Sequence, residues 1–195
     1  PYWSTSVMYQ QPDLVHKLHA DYFAAGADIA TTNTYPVLPD RLDGSGFEDQ
    51  LTQLVQTAAS AAKEARDQHG SGKVAGALGP LGASYRTDFD HTVEDARALY
   101  GDVISAMNSD VDFLIAETVS SVAQARNVID AIAFHSDKPV WIGLSVTDDD
   151  GTKLRSGEDL ADVVSLMDAK RVEAILINCT RPESVKDALK IIAKA

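Results

Sequence analysis

The sequence predicts a parallel α/β fold, specifically a (β/α)8 barrel of which this chain carries about five βα units. Three observations lead there. Short apolar runs alternate with stretches of helical period along the whole chain. The runs are apolar on both faces, as strands of a parallel sheet are. Polar residues collect just past their carboxyl ends, where parallel α/β folds bind ligands. Strict βα alternation with right-handed crossovers leaves two architectures, an open doubly wound sheet and the barrel. No Gly-x-Gly-x-x-Gly follows a strand, so the dinucleotide-binding form lacks its signature. A closed barrel typically takes ~250 residues. This chain has 195, opens abruptly at Pro1-Tyr2-Trp3 and stops inside a helix at Ala195. The expectation is one barrel domain over 1–195, truncated at both ends.

Taken in order, Pro12 to Ala25 forms a helix, with Val15, Leu18, Tyr22 and Ala25 at helical spacing and Gly26 as its stop. The first strand is expected near 27–32 and ends in Thr31-Thr32-Asn33-Thr34-Tyr35. Glu48 to His69 places Leu51, Leu54, Val55, Ala58, Ala61, Ala62 and Ala65 on one face. A strand near 74–79 runs into Gly79-Pro80-Leu81-Gly82. Thr92 with Asp95 resembles a capping box and opens a helix carrying Val93, Ala96, Leu99, Tyr100, Val103 and Met107. The strand near 111–116 ends in Glu117-Thr118. Val122, Ala125, Ile129 and Ile132 mark the next helix, followed by a strand near 139–145. Leu160, Val163, Val164 and Met167 mark a further helix. The strand near 172–178 ends in Asn178-Cys179, and a capping box at Thr180-Arg181-Pro182-Glu183 starts a last helix with Val185, Leu189 and Ile192 inward.

Composition narrows the function. The net charge of −12, from 17 basic and 29 acidic residues, disfavours nucleic acid and anionic membrane as partners. No apolar stretch approaches the ~20 residues that span a bilayer. A single cysteine excludes an internal disulfide and fits a reducing compartment, so a cytoplasmic protein is expected.

Chemistry gathers at the strand ends. Cys179 is either a small buried hydrophobe or, since it follows a strand and precedes a helix N-terminus, a stabilised thiolate able to act as nucleophile or metal ligand. No histidine stands at a strand end, because His16, His19, His69, His91 and His135 fall on helices or loops, which weighs against a Cys–His pair. Glu117 is either a cap or surface ion-pair partner, or a carboxylate desolvated at the end of Phe-Leu-Ile-Ala that an ammonium group would meet. Thr31 to Tyr35 is loop capping or a binding segment. Several motifs fail. Gly70-Ser71-Gly72-Lys73 precedes a strand and lacks the pattern of a phosphate loop. Asp148-Asp149-Asp150-Gly151 reads as a turn. His16 and His19 read as a solvated pair without a third ligand. No lysine ends a strand, which disfavours Schiff-base chemistry.

Several stretches together resemble the homocysteine S-methyltransferases, zinc-dependent (β/α)8 enzymes. They are Trp3-Ser4, His19 to Asp28, Thr32-Asn33-Thr34-Tyr35, Leu78 to Ala83, Ala116-Glu117-Thr118, Asp150-Gly151-Thr152 and Ile177-Asn178-Cys179. The resemblance implies that Cys179 is the first of three cysteine ligands to Zn2+. It implies that Glu117 holds the homocysteine amino group, and that Tyr35, Asn33, Thr34 and Asn178 line the substrate pocket. The partners implied are homocysteine and a small charged methyl donor, S-methylmethionine-like or betaine-like. The loop from Gly79 to Ala83 looks most like the S-methylmethionine branch. The family's Asp-Gly-Gly strand and its Gly-Gly-Cys-Cys segment have no counterpart in this sequence. Two other readings stand beside this one: a catalytically incomplete barrel that binds a small amino acid or serves assembly, and a barrel lyase with Glu117 as base.

Overall fold

Five parallel strands lie side by side in the order in which they occur in the chain. The computed structural model describes residues 4–88, 91–167 and 172–194, so Trp3 of the Trp3-Ser4 motif lies outside the described residues. The strands are β1 (Ile29–Thr31), β2 (Lys73–Leu78), β3 (Phe113–Val119), β4 (Val140–Leu144) and β5 (Val172–Ile177). A doubly wound sheet reverses its strand order at a switch point. Here the order never reverses, so every crossover advances the same way, as in a barrel wall. The chain therefore carries part of a (β/α)8 barrel.

The helices are α1 (Thr5–Gln10), α2 (Pro12–Ala24), α3 (Pro39–Leu42), α4 (Leu51–His69), α5 (Val93–Met107), α6 (Val122–His135), α7 (Leu160–Met167) and α8 (Pro182–Ile192). Period-two alternation sorts each strand into two faces. Val74, Leu78, Leu114, Ala116, Val140, Ile142 and Leu144 are buried in one core with Ala58, Ala62, Val103, Ile104, Met107, Ile129 and Ile132 of the helices. The opposite face presents Phe113 against Trp141, with ring centroids 4.3 Å apart, and Ile115 and Glu117 continue that face toward the carboxyl edge.

The amphipathic stripes of α4 and α7 are buried as predicted. The capping box of α5 forms in both directions: Asp95 N donates to Thr92 Oγ1 at 3.1 Å and Thr92 N donates to Asp95 Oδ2 at 3.1 Å. Helix α2 turns differently from expectation. It buries Val15, His19 and Phe23 and leaves Leu18 and Tyr22 exposed. Both stripes have i, i+4 spacing, and the one that wins places Phe23 against the His69 ring, centroids 5.5 Å apart. His19 is consequently not part of a solvated pair. Burial, and secondarily His16, lowers its pKa, and among the described residues the buried Nε2 atoms of both histidines have no hydrogen-bond partner.

Two strand-end expectations also change. Glu117 and Thr118 belong to β3, which runs on to Val119. The Thr180–Glu183 capping box does not form, because Thr180 Oγ1 donates instead to the Val146 carbonyl at 2.9 Å. Arg181 takes the N-cap position of α8 without a side-chain cap. That helix buries Ser184 and Ala188 and exposes Leu189, while Val185 and Ile192 are only partly covered. No helix among the described residues is long and apolar enough to cross a membrane.

Candidate active site at the carboxyl edge

The carboxyl ends of β3, β4 and β5 are joined by side chains as well as by the last bonds of the ladder. Asn178, just past β5, keeps its backbone N–H in the ladder by donating to Leu144 O at 3.0 Å. Its side chain crosses to β3. Thr118 N donates to Asn178 Oδ1 at 3.1 Å, and Asn178 Nδ2 reaches Thr118 Oγ1 at 3.4 Å. Gly143 permits this crossing, because a Cβ there would stand 3.2 Å from the Asn178 amide carbon. Thr118 in turn donates its hydroxyl to Cys179 Sγ at 3.3 Å.

The cysteine is exposed, which removes the buried-hydrophobe reading of Cys179. It stands three residues before the start of α8, at the positive end of that helix dipole. Its backbone is in the left-handed region, φ 52°, which L-residues with a Cβ rarely adopt. Thr118 shares that conformation at φ 60°, where a β-branched residue is a true outlier. Tyr85 is the third such residue, at φ 69°, on the loop after β2. Partial desolvation first, and then the neighbouring Cys179, raise the pKa of the Tyr85 phenol. Among the described residues these are all the non-glycine positions with positive φ, and Thr118 bonds the Cys179 sulfur directly while Tyr85 stands under the Arg155 guanidinium that holds the Cys179 carbonyl. Strain of this kind costs about 1–3 kcal/mol per residue and concentrates at functional sites.

Glu117 stands beside this cluster, next to Thr118 and on the Phe113–Ile115 face. Its pKa is raised by desolvation, and among the described residues its carboxylate has no hydrogen-bond or ion-pair partner. A partly buried carboxylate is costly when ionised alone and is stabilised by any cation that meets it. The Thr31–Tyr35 segment divides. Tyr35 shares a 2.6 Å hydrogen bond with Ser84, on the same loop as Tyr85, and lies under the Arg41 guanidinium at 4.9 Å from its ring centroid. Thr34 is fully buried; its hydroxyl donates to Ala77 O at 2.6 Å and contacts Thr32 Oγ1 at 2.7 Å, locking β1 to β2. Asn33 Oδ1 accepts from Ser4 Oγ at 2.5 Å, tying this segment to the residue before α1.

Sequence reasoning missed Tyr85, Ser145, Asp148 and Arg155. The loop after β4 doubles back through a Val146–Leu154 bridge, with Thr147 N donating to Lys153 O at 2.9 Å. This sets Arg155 opposite Ser145. The Asp150-Gly151-Thr152 turn is the one signal in the sequence that could have located that pairing.

A sequence profile of the homocysteine S-methyltransferase family matches residues 1–195. The chain belongs to the homocysteine S-methyltransferase family. It is 28% identical to the homocysteine S-methyltransferase of Escherichia coli strain K12 over 96% of this chain and 65% of that protein. It is 28% identical to the homocysteine S-methyltransferase YbgG of Bacillus subtilis strain 168 over 98% of this chain and 66% of that protein. The chain thus spans just under two thirds of the length of these relatives. The crystal structure of the homocysteine methyltransferase MmuM from E. coli in its metallated form superposes with a TM-score of 0.87 at 28% identity, covering 96% of this chain and 70% of that one.

A structural or catalytic zinc takes three or four protein ligands. No group of three His, Cys, Asp or Glu side chains among the described residues of this family member is placed to hold a metal ion. The described residues therefore offer one suitable sulfur and do not by themselves form a zinc site.

Proposed function

We propose that the full-length protein transfers a methyl group from a small cationic donor, S-methylmethionine-like or betaine-like, to the thiol of homocysteine, giving methionine. The observation that carries this reading is the partly buried carboxylate of Glu117, without a partner among the described residues, one residue from a hydroxyl that touches the sulfur of an exposed cysteine. Glu117 accepts the substrate ammonium, and the cation offsets the cost of holding a partly buried carboxylate ionised. Tyr35 and the Asn178-ordered edge flank the bound chain of the amino acid. The homocysteine thiol gives its proton to solvent, and its sulfur forms an S–C bond as the donor's S–C or N–C bond breaks in line, the electron pair leaving with a neutral product. No proton is taken from carbon, so a strand-end histidine has no task in the transfer. Zn2+ is the cofactor in this reading, with Cys179 as one ligand and the others drawn from outside the described residues; when bound it acidifies a thiol. A metal-ligating thiol that must stay reduced fits the cytoplasm.

The deciding experiment supplies full-length protein with Zn2+, homocysteine and either S-methylmethionine or betaine, and measures methionine. Cys179→Ala is expected to cut turnover by about a hundredfold or more, since even outer partners of a metal ligand cost about 10–100-fold. Unchanged turnover overturns the proposal and leaves an amino-acid-binding barrel.

A further inference from the structure

Resting on that reading of the carboxyl edge, we propose that Arg155 is the positioning residue of the Cys179 thiol. One guanidinium ties together three loops that have no backbone pairing with one another at this point. Arg155 Nη2 donates to the Cys179 carbonyl at 2.8 Å. Arg155 Nε donates to Ser145 Oγ at 2.7 Å, and Ser145 Oγ donates to the same Cys179 carbonyl at 3.1 Å. The carbonyl of the strained residue therefore receives two donors, one of them charged. Asp148 fixes the guanidinium from the other side, with its Oδ1 at 3.1 Å from Nη2. Asp148 also accepts from Arg181 N at 3.3 Å, at the start of the helix that follows the thiol. Finally, the guanidinium covers the Tyr85 ring at 4.7 Å to its centroid.

The arrangement explains how a left-handed cysteine is held. A free chain would relax Cys179 toward φ below zero, which would swing the Cα–Cβ bond and carry the sulfur off Thr118. Two donors on its carbonyl and the Thr118 hydroxyl on its sulfur oppose that rotation from both ends. Arg155 acts through the backbone of Cys179 and through the Tyr85 ring. Lysine does not replace it, because a single ammonium on a flexible stem cannot span Ser145 Oγ, the Cys179 carbonyl, Asp148 and an aromatic face at once.

The test uses full-length protein bearing Arg155→Ala, Arg155→Lys or Ser145→Ala. Three quantities are measured: the rate of iodoacetamide labelling at Cys179 by mass spectrometry at one fixed pH, the thermal midpoint, and kcat with the homocysteine KM. Loosening the residue is expected to speed labelling by about fivefold in Arg155→Ala, to less extent in Ser145→Ala, with Arg155→Lys resembling Ala. Turnover should fall by about tenfold or more, because small misplacements of reacting groups are costly, while KM, set by Glu117, stays within about twofold. Labelling and kcat both unchanged in a stably folded Arg155→Ala overturn the proposal. If Arg155→Ala does not fold, Ser145→Ala decides on the same criteria. If the wild type transfers no methyl group, the methyltransferase reading fails on its own, and the labelling comparison still decides whether Arg155 positions the thiol.

Discussion

Replacing Glu117 by Gln removes one charge with almost no change of shape, and two opposite consequences follow from the same burial. A charge-assisted hydrogen bond contributes about 1.5–3 kcal/mol. Glu117 is only partly buried, so the lower half of that range applies, and homocysteine affinity should fall by roughly 10–40-fold at 1.4 kcal/mol per decade. Calorimetric titration of full-length Glu117→Gln with homocysteine measures this. The control is 4-mercaptobutyrate, which keeps the thiol and carboxylate and lacks the amino group. It should bind variant and wild type alike. Meanwhile the ligand-free variant should be more stable than wild type. The folded-state pKa of Glu117 is raised by desolvation. The ionised carboxylate thus costs the fold in full above that raised pKa, and the cost shrinks as pH falls toward the ordinary carboxylate value, below which it is gone. Thermal midpoints should favour Glu117→Gln at neutral pH and converge in acid. Equal loss of affinity for homocysteine and for 4-mercaptobutyrate would refute the ammonium role, and a variant less stable at neutral pH would refute the burial argument.

Two further perturbations test the scaffold. A Cβ on Gly151 would overlap the Ser184 carbonyl oxygen and stand 2.9 Å from the Ser184 carbonyl carbon and 3.2 Å from Ala188 N. Gly151→Ala should therefore push the loop bearing Arg155 off α8, seen as faster amide hydrogen exchange across 145–159 with little change in β2 and β3. Phe23 is 1% exposed, and truncating a buried aromatic costs about 3–5 kcal/mol; urea unfolding of Phe23→Ala should show a loss of that size.

The strands are legible in the sequence because each is a short run apolar on both faces, and a run too short for a helix yet apolar all round fits little besides a buried strand. The barrel reading needs their order in space, which right-handed crossovers make sequential only when every helix lies on one side. The face of α2 is not legible. Leu14, Leu18 and Tyr22 form as good an apolar stripe as Val15, His19 and Phe23, and only packing against α4 chooses between them. The cap of α8 fails for a similar reason, since Thr180 has a better partner in Val146 than its own helix offers. At the site, Glu117, Asn178 and Cys179 can be found because they end apolar runs. Tyr85, Ser145 and Arg155 sit in loops whose meeting depends on tertiary geometry, and local pattern carries no trace of it.

The three left-handed side-chain-bearing residues have a bearing on how this protein would respond to selection. At Tyr85, Thr118 and Cys179 glycine would fit the main chain with less conflict, so each is a place where resistance to heat and usefulness pull apart. A library screened only for survival at high temperature would enrich glycine there and steadily discard the phenol, the hydroxyl and the sulfur. Its most robust winners would keep the barrel wall and have lost what stands on its rim.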